Sequence, residues 1–533
     1  MRMIHATLPR HLPRTVLILS LLLLGILRSA SAETALPVQA AKSSFDPSKI
    51  KHIIFMVQEN HTFDSYFGRF PGTLGATMGK ISTGATIPLS DAPDIPENFL
   101  HTWDVAHTDH DNGNMDGFNI GSTSPACNTP SYPCYIAAQQ SLIPNYWALA
   151  DRFILDDMGF SSVMGPSFPN HLYTVAAAAG PTLDQSAINN PNNSKNPPGQ
   201  EKTWGCDATD DTTVELYPGY ARGGTSGYPC FGCPKTPKLN CLPHLTNLAD
   251  LLAAKGKTWK YYAGDTFDNA LDAFYQDYKS PNIIKKDATT AFDTDAKNGN
   301  LPDFSWLVAP NADNEHPGQS SSCAGENWAY DRIKAVENSK DWDSSVIVET
   351  WDDFGGLYDH VPPLQVDKLG LGFRVPFLIM SPFGSASGRN ISHVPLEFSS
   401  VLKFAEQVFD LGVGSLHGRD ADPSTNSIAA VLDTSKTTDK LILTGHCIPI
   451  LQTGTATTYF LAPSIALSKD DTLAIVNDTN IDETITGTPG GDLKISKKGG
   501  RGITGKFAST GATTLACVPN CTGKNKTLTV NVT

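Results

Sequence analysis

Two acidic pairs follow short apolar runs in this chain: Glu59-Asn60 just after 53–57, and Asp352-Asp353 just beyond 346–348. Three carboxylates and one amide oxygen arriving from two strand ends form the kind of oxygen-rich set that holds a hard divalent cation. Either pair alone would read equally well as a helix cap or a turn. Two such pairs shift the balance towards a site. Ser167 lies in Met-Gly-Pro-Ser-Phe-Pro-Asn-His, residues 164–171. Its glycine and two prolines fix the backbone, and the spacing predicts Ser167 just ahead of an alanine-rich helix that begins near His171 with Asn170 as its cap. A hydroxyl at a helix N-terminus sits in positive potential, which suits a nucleophile and a phosphoryl group alike, although a plain loop would carry the same residues. Histidines recur in polar stretches: His101, His107 and His110 around Trp103, His316 in Asn-Glu-His-Pro, and His360 in Tyr-Asp-His-Val-Pro. Imidazoles stabilise developing negative charge or protonate a leaving group.

These residues need a scaffold, and the alternation of apolar strands with helical patterns over 47–435 predicts an α/β domain with a mostly parallel sheet covered by helices. In open sheets of that kind ligands bind at the carboxyl ends of the strands, where both acidic pairs fall. The runs 53–57, 259–263, 346–348 and 375–380 read as strands. Thr246 reads as the cap of a helix carrying Leu248, Leu251 and Leu252, and Val401, Phe404, Ala405 and Val408 have helical spacing. The asparagine-rich text 189–200 reads as a surface loop over the site. From 440 to 533 short alternating segments between Gly, Asn and Asp turns predict a small C-terminal β-sandwich, an accessory module whose end faintly resembles cupredoxin-like domains. No copper-binding histidine accompanies Cys517, so Cys517 and Cys521 read as a structural disulfide.

A chain of 533 residues holds one large domain plus a smaller module. With 40 Lys and Arg against 54 Asp and Glu, a net charge of −14, it lacks the basic face a nucleic-acid partner requires. A bound cation can supply positive charge locally, so the same balance does not exclude a phosphate ester. Residues 1–32 have the form of a secretory signal peptide: Arg2, Arg10 and Arg14, an apolar run over 16–27, then Ala30-Ser31-Ala32. The expectation is a secreted or periplasmic protein with no membrane anchor once the leader is removed. Ten cysteines in an exported chain favour disulfides, and that compartment weighs against a zinc site at Cys206, Cys230, Cys233 and Cys241.

The stretches 52–68, 165–171 and 350–363 are long, ordered motifs that resemble the bacterial phosphoesterase family, with the likeness running over about 51–412. That family includes non-haemolytic phospholipases C and a secreted acid phosphatase, and is related in fold to alkaline phosphatases and arylsulfatases. The resemblance implies an alkaline phosphatase-like fold and one divalent metal ion (calcium, magnesium, manganese or zinc) on Glu59, Asn60, Ser167, Asp352 and Asp353. It further implies that Ser167 is the nucleophile, that His107, His316 and His360 surround the phosphoryl group, and that the substrate is a phosphate ester or phospholipid. The expected reaction is transfer of the phosphoryl group to Ser167 followed by hydrolysis, with His107 or His316 as proton donor. The position of Ser167 is Ser in the phosphatase branch and Thr in some phospholipases, so phospholipase C and acid phosphatase activities both stay open. A metal-independent serine esterase using Ser167, His360 and Asp353 would leave Glu59-Asn60 without a role and lacks the usual nucleophile elbow. A non-catalytic surface binding protein would not need the full acidic set.

Overall fold

The computed structural model describes residues 44–193, 203–218, 225–234, 239–263, 269–438 and most of 445–532. The leader 1–32 and Cys521 lie outside the described residues. Residues 40–533 form one compact unit.

Its centre is an eight-stranded sheet. In chain order the strands are β1 (His52–Gln58), β2 (Ile154–Asp156), β3 (Trp259–Ala263), β4 (Ile283–Ile284), β5 (Phe304–Val308), β6 (Ser345–Trp351), β7 (Phe377–Met380) and β8 (Ile391–Ser392). They lie side by side as β4-β3-β5-β1-β6-β7-β2-β8. β5, β1 and β6 run parallel, and nearly every residue in them is buried, as expected of central strands covered on both faces. The sheet is mixed, because β7 runs antiparallel to both β6 and β2.

The helices include α1 (Phe63–Phe67), α2 (Trp103–His110), α3 (Pro144–Arg152), α4 (Ser167–Ala176), α5 (Ala288–Asn298), α6 (Ser322–Glu337) and α7 (Phe398–Val408). The stripe of Val401, Phe404 and Ala405 on α7 is buried in the main core, and a capping box of Glu397 and Ser400 starts that helix. The helix expected after Thr246 runs Leu248–Ala254, but its cap is Asn247, whose side chain accepts from Asp250 N. A one-residue offset of this kind is common where two adjacent residues can both cap.

After 438 come β9 (Gly445–Thr453), β10 (Thr457–Phe460), β11 (Ser464–Leu467), β12 (Thr472–Asn477), β13 (Glu483–Thr486), β14 (Leu493–Ile495), β15 (Gly500–Ile503), β16 (Gly511–Val518) and β17 (Thr527–Val532). They form a four-stranded sheet β10-β9-β12-β15 and a five-stranded sheet β11-β17-β16-β13-β14. Phe460, Leu473, Ile475, Ile485, Leu515, Leu528 and Val530 join the two in one apolar cluster. Val476 of β12 packs on Cys323 of α6.

Six cysteines form the disulfides Cys127–Cys134, Cys206–Cys230 and Cys233–Cys241. The pairing within 206–241 leaves no thiolate there for zinc. Cys323 and Cys517 are disulfide-bonded as well.

Candidate active site

The register of two central strands builds the site. Gln58 of β1 lies beside Trp351 of β6. The next residues, Glu59 and Asp352, therefore leave the sheet side by side, and Asp352 N donates to Gln58 O at 3.0 Å. Asn60 follows with φ 62°, a left-handed backbone that asparagine tolerates better than most residues. Its N–H donates to Asp352 Oδ1 at 3.0 Å. Gly355 closes the turn after Asp353 with φ 59°, and a Cβ there would lie 2.7 Å from Asn60 O, so only glycine fits. Its N–H donates to Asp353 Oδ1 at 2.8 Å.

Ser167 reaches this group from α4. Its Oγ–H donates to Asp353 Oδ2 at 3.1 Å. The helix begins at Ser167 itself, not near His171. Asn170 is not its cap. The Asn170 side chain instead ties the preceding loop, accepting from Val163 N and donating to the carbonyls of Val163, Gly165 and Pro166. Two prolines in the segment misplace the boundary when read from sequence, because proline is tolerated throughout a first turn where N–H groups have no partners.

The Asn60 carboxamide lies between two imidazoles and two carboxylates. Its Nδ2 lies 3.3 Å from His101 Nε2 and 3.2 Å from His316 Nε2. His101 Nδ1–H donates to Phe99 O at 2.7 Å and His316 Nδ1–H to Pro317 O at 2.9 Å, which leaves both Nε2 atoms as acceptors for the amide. The Asn60 oxygen then faces only acceptors, Asp352 Oδ1 at 2.8 Å and Glu59 Oε2 at 3.2 Å. Turning the amide over relieves that repulsion and keeps a bond from His316. A cation among the oxygens relieves it without the turn. Asp352 Oδ2 is buried and accepts no hydrogen bond. Burial pushes the Asp353 carboxyl up to about 7, and burial followed by the neighbouring Asp353 pushes Asp352 well above the carboxylate range. Crowded acids held this way are stabilised by a bound cation, which inverts the local preference for protonation. The donor set therefore fits a divalent metal.

His316 is carried by the turn at Glu315, which has φ 70°. The Glu315 carboxyl receives Tyr146 Oη–H at 2.6 Å, Tyr66 Oη–H at 2.8 Å and Trp351 Nε1–H at 2.8 Å, anchoring the turn to α3, α1 and β6. Burial pushes His316 down to about 4, so it is a neutral imidazole at neutral pH.

Thus Glu59, Asn60, Ser167, Asp352, Asp353 and His316 come together, while His107 and His360 make no contact with them. His107 lies on α2, where its Nδ1 bonds to Trp103 O at 2.8 Å and its ring packs on Trp103. His101, ahead of the helix, takes the place beside Asn60. His360 Nδ1 bonds to Asp64 Oδ2 at 2.6 Å in a second acidic group, Asp64, Asp359 and His360. That group is closed by buried Arg374, which donates Nε–H and Nη2–H to Asp359 at 2.8 and 3.0 Å and Nη2–H to Asp64 at 3.1 Å. One further residue joins the first group: His171 of α4, with Nε2 3.1 Å from Glu59 Oε1. The spacing of four from Ser167 on one helix is the signal in the sequence that points to it.

Beside His101 and Pro166 opens a cavity of about 800 Å³, whose lining includes Asn98, Ser124, Asn189, Asn190, Thr213 and Glu215. The described part of the asparagine-rich loop serves this wall: Asn189 Oδ1 accepts from Trp103 N and Asn190 Oδ1 from Phe168 N.

A family model described as the phosphoesterase family matches residues 50–412, the segment that carries all of these residues. The chain belongs to the phosphoesterase family. It is 25% identical over 451 residues to a non-hemolytic phospholipase C of Pseudomonas aeruginosa, covering 71% of this chain and 57% of that one. It is 23% identical over 489 residues to phospholipase C B of Mycobacterium tuberculosis, covering 76% of this chain and 84% of the relative. A hemolytic phospholipase C of Pseudomonas aeruginosa is 25% identical over 410 residues. The chain spans just over half the length of the two Pseudomonas relatives.

Proposed function

We propose that this phosphoesterase is an exported, metal-dependent phosphoric-ester hydrolase of the phospholipase C kind, acting on a phosphate ester or phospholipid by transfer to Ser167 and then to water. The observation that carries the reading is the Ser167 hydroxyl, buried at the start of α4 and hydrogen-bonded to Asp353 within a group of carboxylates whose donor set fits a cation. Glu59, Asn60, Asp352, Asp353 and Ser167 would hold the ion, which when bound supplies Lewis acidity and lowers the pKa of a coordinated hydroxyl.

The chain's own residues do the rest. Asp353 Oδ2 lies where it receives the Ser167 proton as Oγ attacks phosphorus and the ester oxygen leaves. His101 and His316 act through Asn60, holding its carboxamide with the oxygen towards the carboxylates. A neutral His316 accepts from that amide, so it is a positioning group rather than the donor to the leaving alcohol. The positive end of the α4 dipole, at Ser167, favours phosphoryl oxygens. The architecture that goes with this reading is an alkaline phosphatase-like domain followed by a β-sandwich module.

A second reading, hydrolysis of phosphomonoesters, is supported by the cavity beside His101, where Asn98, Ser124, Asn189 and Thr213 bring amide and hydroxyl groups among the apolar Phe99, Leu100 and Pro125. One experiment separates the two. The mature protein and Ser167→Ala are assayed on p-nitrophenyl phosphate and p-nitrophenyl phosphorylcholine, with and without a chelator. Cleavage of the diester that both chelation and substitution abolish supports the phospholipase C reading, and cleavage of the monoester alone makes the protein a phosphatase. Activity on neither would contradict the catalytic assignment, and activity that survives chelation would return the serine esterase.

A further inference from the structure

We propose that His171 is a positioning residue of the metal centre, whose Nε2–H holds Glu59, and with it Asp352, in the orientation that receives the ion. The inference rests on the reading of Glu59 and Asp352 as ligands. His171 stands one helical turn after Ser167 on α4, so the two side chains share a face. Ser167 meets Asp353 from that face, and His171 meets the other two carboxylates. Its Nε2 is 3.1 Å from Glu59 Oε1 and 3.6 Å from Asp352 Oδ2, the second too long for a hydrogen bond yet close enough for attraction. The ring is 1% exposed and meets the face of Trp204 edge-on at 5.5 Å, so it has no room to swing away.

The carboxylates divide their oxygens between two sides. Glu59 Oε2 and Asp352 Oδ1 face Asn60, while Glu59 Oε1 and Asp352 Oδ2 face His171. A bond on the second side fixes the rotation of the carboxylates and so aims the oxygens on the first.

The alternative is that the same nitrogen is itself a ligand, since Glu59, His171 and Asp352 offer atoms within 4.8 Å of one another. The other ring nitrogen decides against it. His171 Nδ1 is buried with no hydrogen-bond partner. If Nε2 gave its lone pair to a metal, Nδ1 would carry the proton, and a buried N–H would go without an acceptor. Histidine ligands nearly always give that second N–H to a carbonyl or carboxylate. With the proton on Nε2, Glu59 is its acceptor and Nδ1 is a bare aromatic nitrogen, the less costly of the two orphans. One consequence is that the helix bearing the nucleophile and the strand ends bearing the ligands are fastened at two points one turn apart.

The test is a manganese titration of the metal-free full-length protein, followed by the electron paramagnetic resonance of free Mn²⁺, for wild type, His171→Leu and His171→Gln. Leucine fills the space without a donor, whereas glutamine places an N–H near the Nε2 position. The expected result is a Kd raised on the order of 10- to 100-fold by leucine and largely restored by glutamine. Equal affinity in the leucine variant, or glutamine as poor as leucine, overturns the proposal. Electron spin echo spectra of Mn²⁺ in the wild-type protein should show no coordinated nitrogen. A nitrogen coupling that disappears in His171→Gln makes His171 a ligand and also overturns it, and this arm holds even if the leucine variant does not fold. If wild type binds no Mn²⁺, and Mg²⁺, Ca²⁺ and Zn²⁺ do not raise its melting temperature, the metal reading itself fails and the inference falls with it.

Discussion

Two acidic groups built from the same two stretches of chain end up with opposite characters. Glu59 and Asn60 belong to the first and Asp64 to the second, five residues later; Asp352 and Asp353 belong to the first, Asp359 and His360 to the second. In the second, all five guanidinium donors of Arg374 are used: on Asp64, on Asp359, and on the carbonyls of Leu74 and Asp157 at 2.8 Å each. In the first, neither Asp352 nor Asp353 forms an ion pair with a lysine or arginine among the described residues, and Asp352 Oδ2 lacks a hydrogen bond. A buried acidic cluster becomes a structural knot when the chain supplies the counter-charge, and a site when that charge must come from outside.

The contrast predicts opposite outcomes for mutation. Asp352→Ala should lower kcat/KM on the order of 10³-fold, ~4 kcal/mol of transition-state stabilisation, while leaving the melting temperature of the metal-free protein unchanged or raised, because a buried acid without a counter-charge has gone. Arg374→Met should do the reverse in stability, costing roughly 3–5 kcal/mol because two buried carboxylates lose their partner. Chemical denaturation of the two variants side by side checks the pair. If Asp352→Ala unfolds the protein and Arg374→Met does not, the assignment of roles is inverted.

Ligand linkage gives a smaller effect. A divalent ion at about 100 times its Kd should stabilise wild type by ~2.7 kcal/mol, and the melting temperature of Asp352→Ala should respond far less. An equal rise in both proteins would place the ion elsewhere, and a rise lost in Asp64→Asn would place it in the second group.

The smallest effect is a pH dependence at the anchor of the His316 turn. Burial pushes Glu315 up from 4.5 to about 7, against the hydrogen bonds from Tyr146, Trp351 and Tyr66 that favour its charged form. An acid with a raised folded pKa binds its proton more tightly when folded. Its contribution is full below the unfolded value, declines as pH rises from about 4.5 to about 7, and is gone above. Glutamine has no such proton, so the stability of wild type relative to Glu315→Gln should fall across that window and stay level beyond it. A flat difference from pH 4.5 to 8 would show that Glu315 is not held protonated.

The contrast also explains what the sequence could reveal. Glu59 and Asp352 were legible because an apolar run ending in acids names both a buried strand and its carboxyl end, and the parallel register of β1 and β6 makes them neighbours. The strands after 438 were legible by alternation. The direction of β7 was not, since a continuous apolar run reads the same in parallel and antiparallel pairing. His101 and His107 could not be told apart without knowing that α2 starts at Trp103, because the start of the helix decides which imidazole faces Asn60. His360 looked like part of the site because its partner cation, Arg374, carries no motif, and that residue's other acidic partner, Asp64, lies 310 positions away. His171 stood in plain text inside the Ser167 motif, but only the packed helix shows it turned towards Glu59.

The most direct test of the account is to quench the metal-loaded protein with acid during turnover of p-nitrophenyl phosphate or p-nitrophenyl phosphorylcholine and to look for a phosphoryl adduct by peptide mass spectrometry. The account predicts the adduct on Ser167, present in wild type and absent from chelated protein. Turnover by Ser167→Ala at the wild-type rate would contradict it.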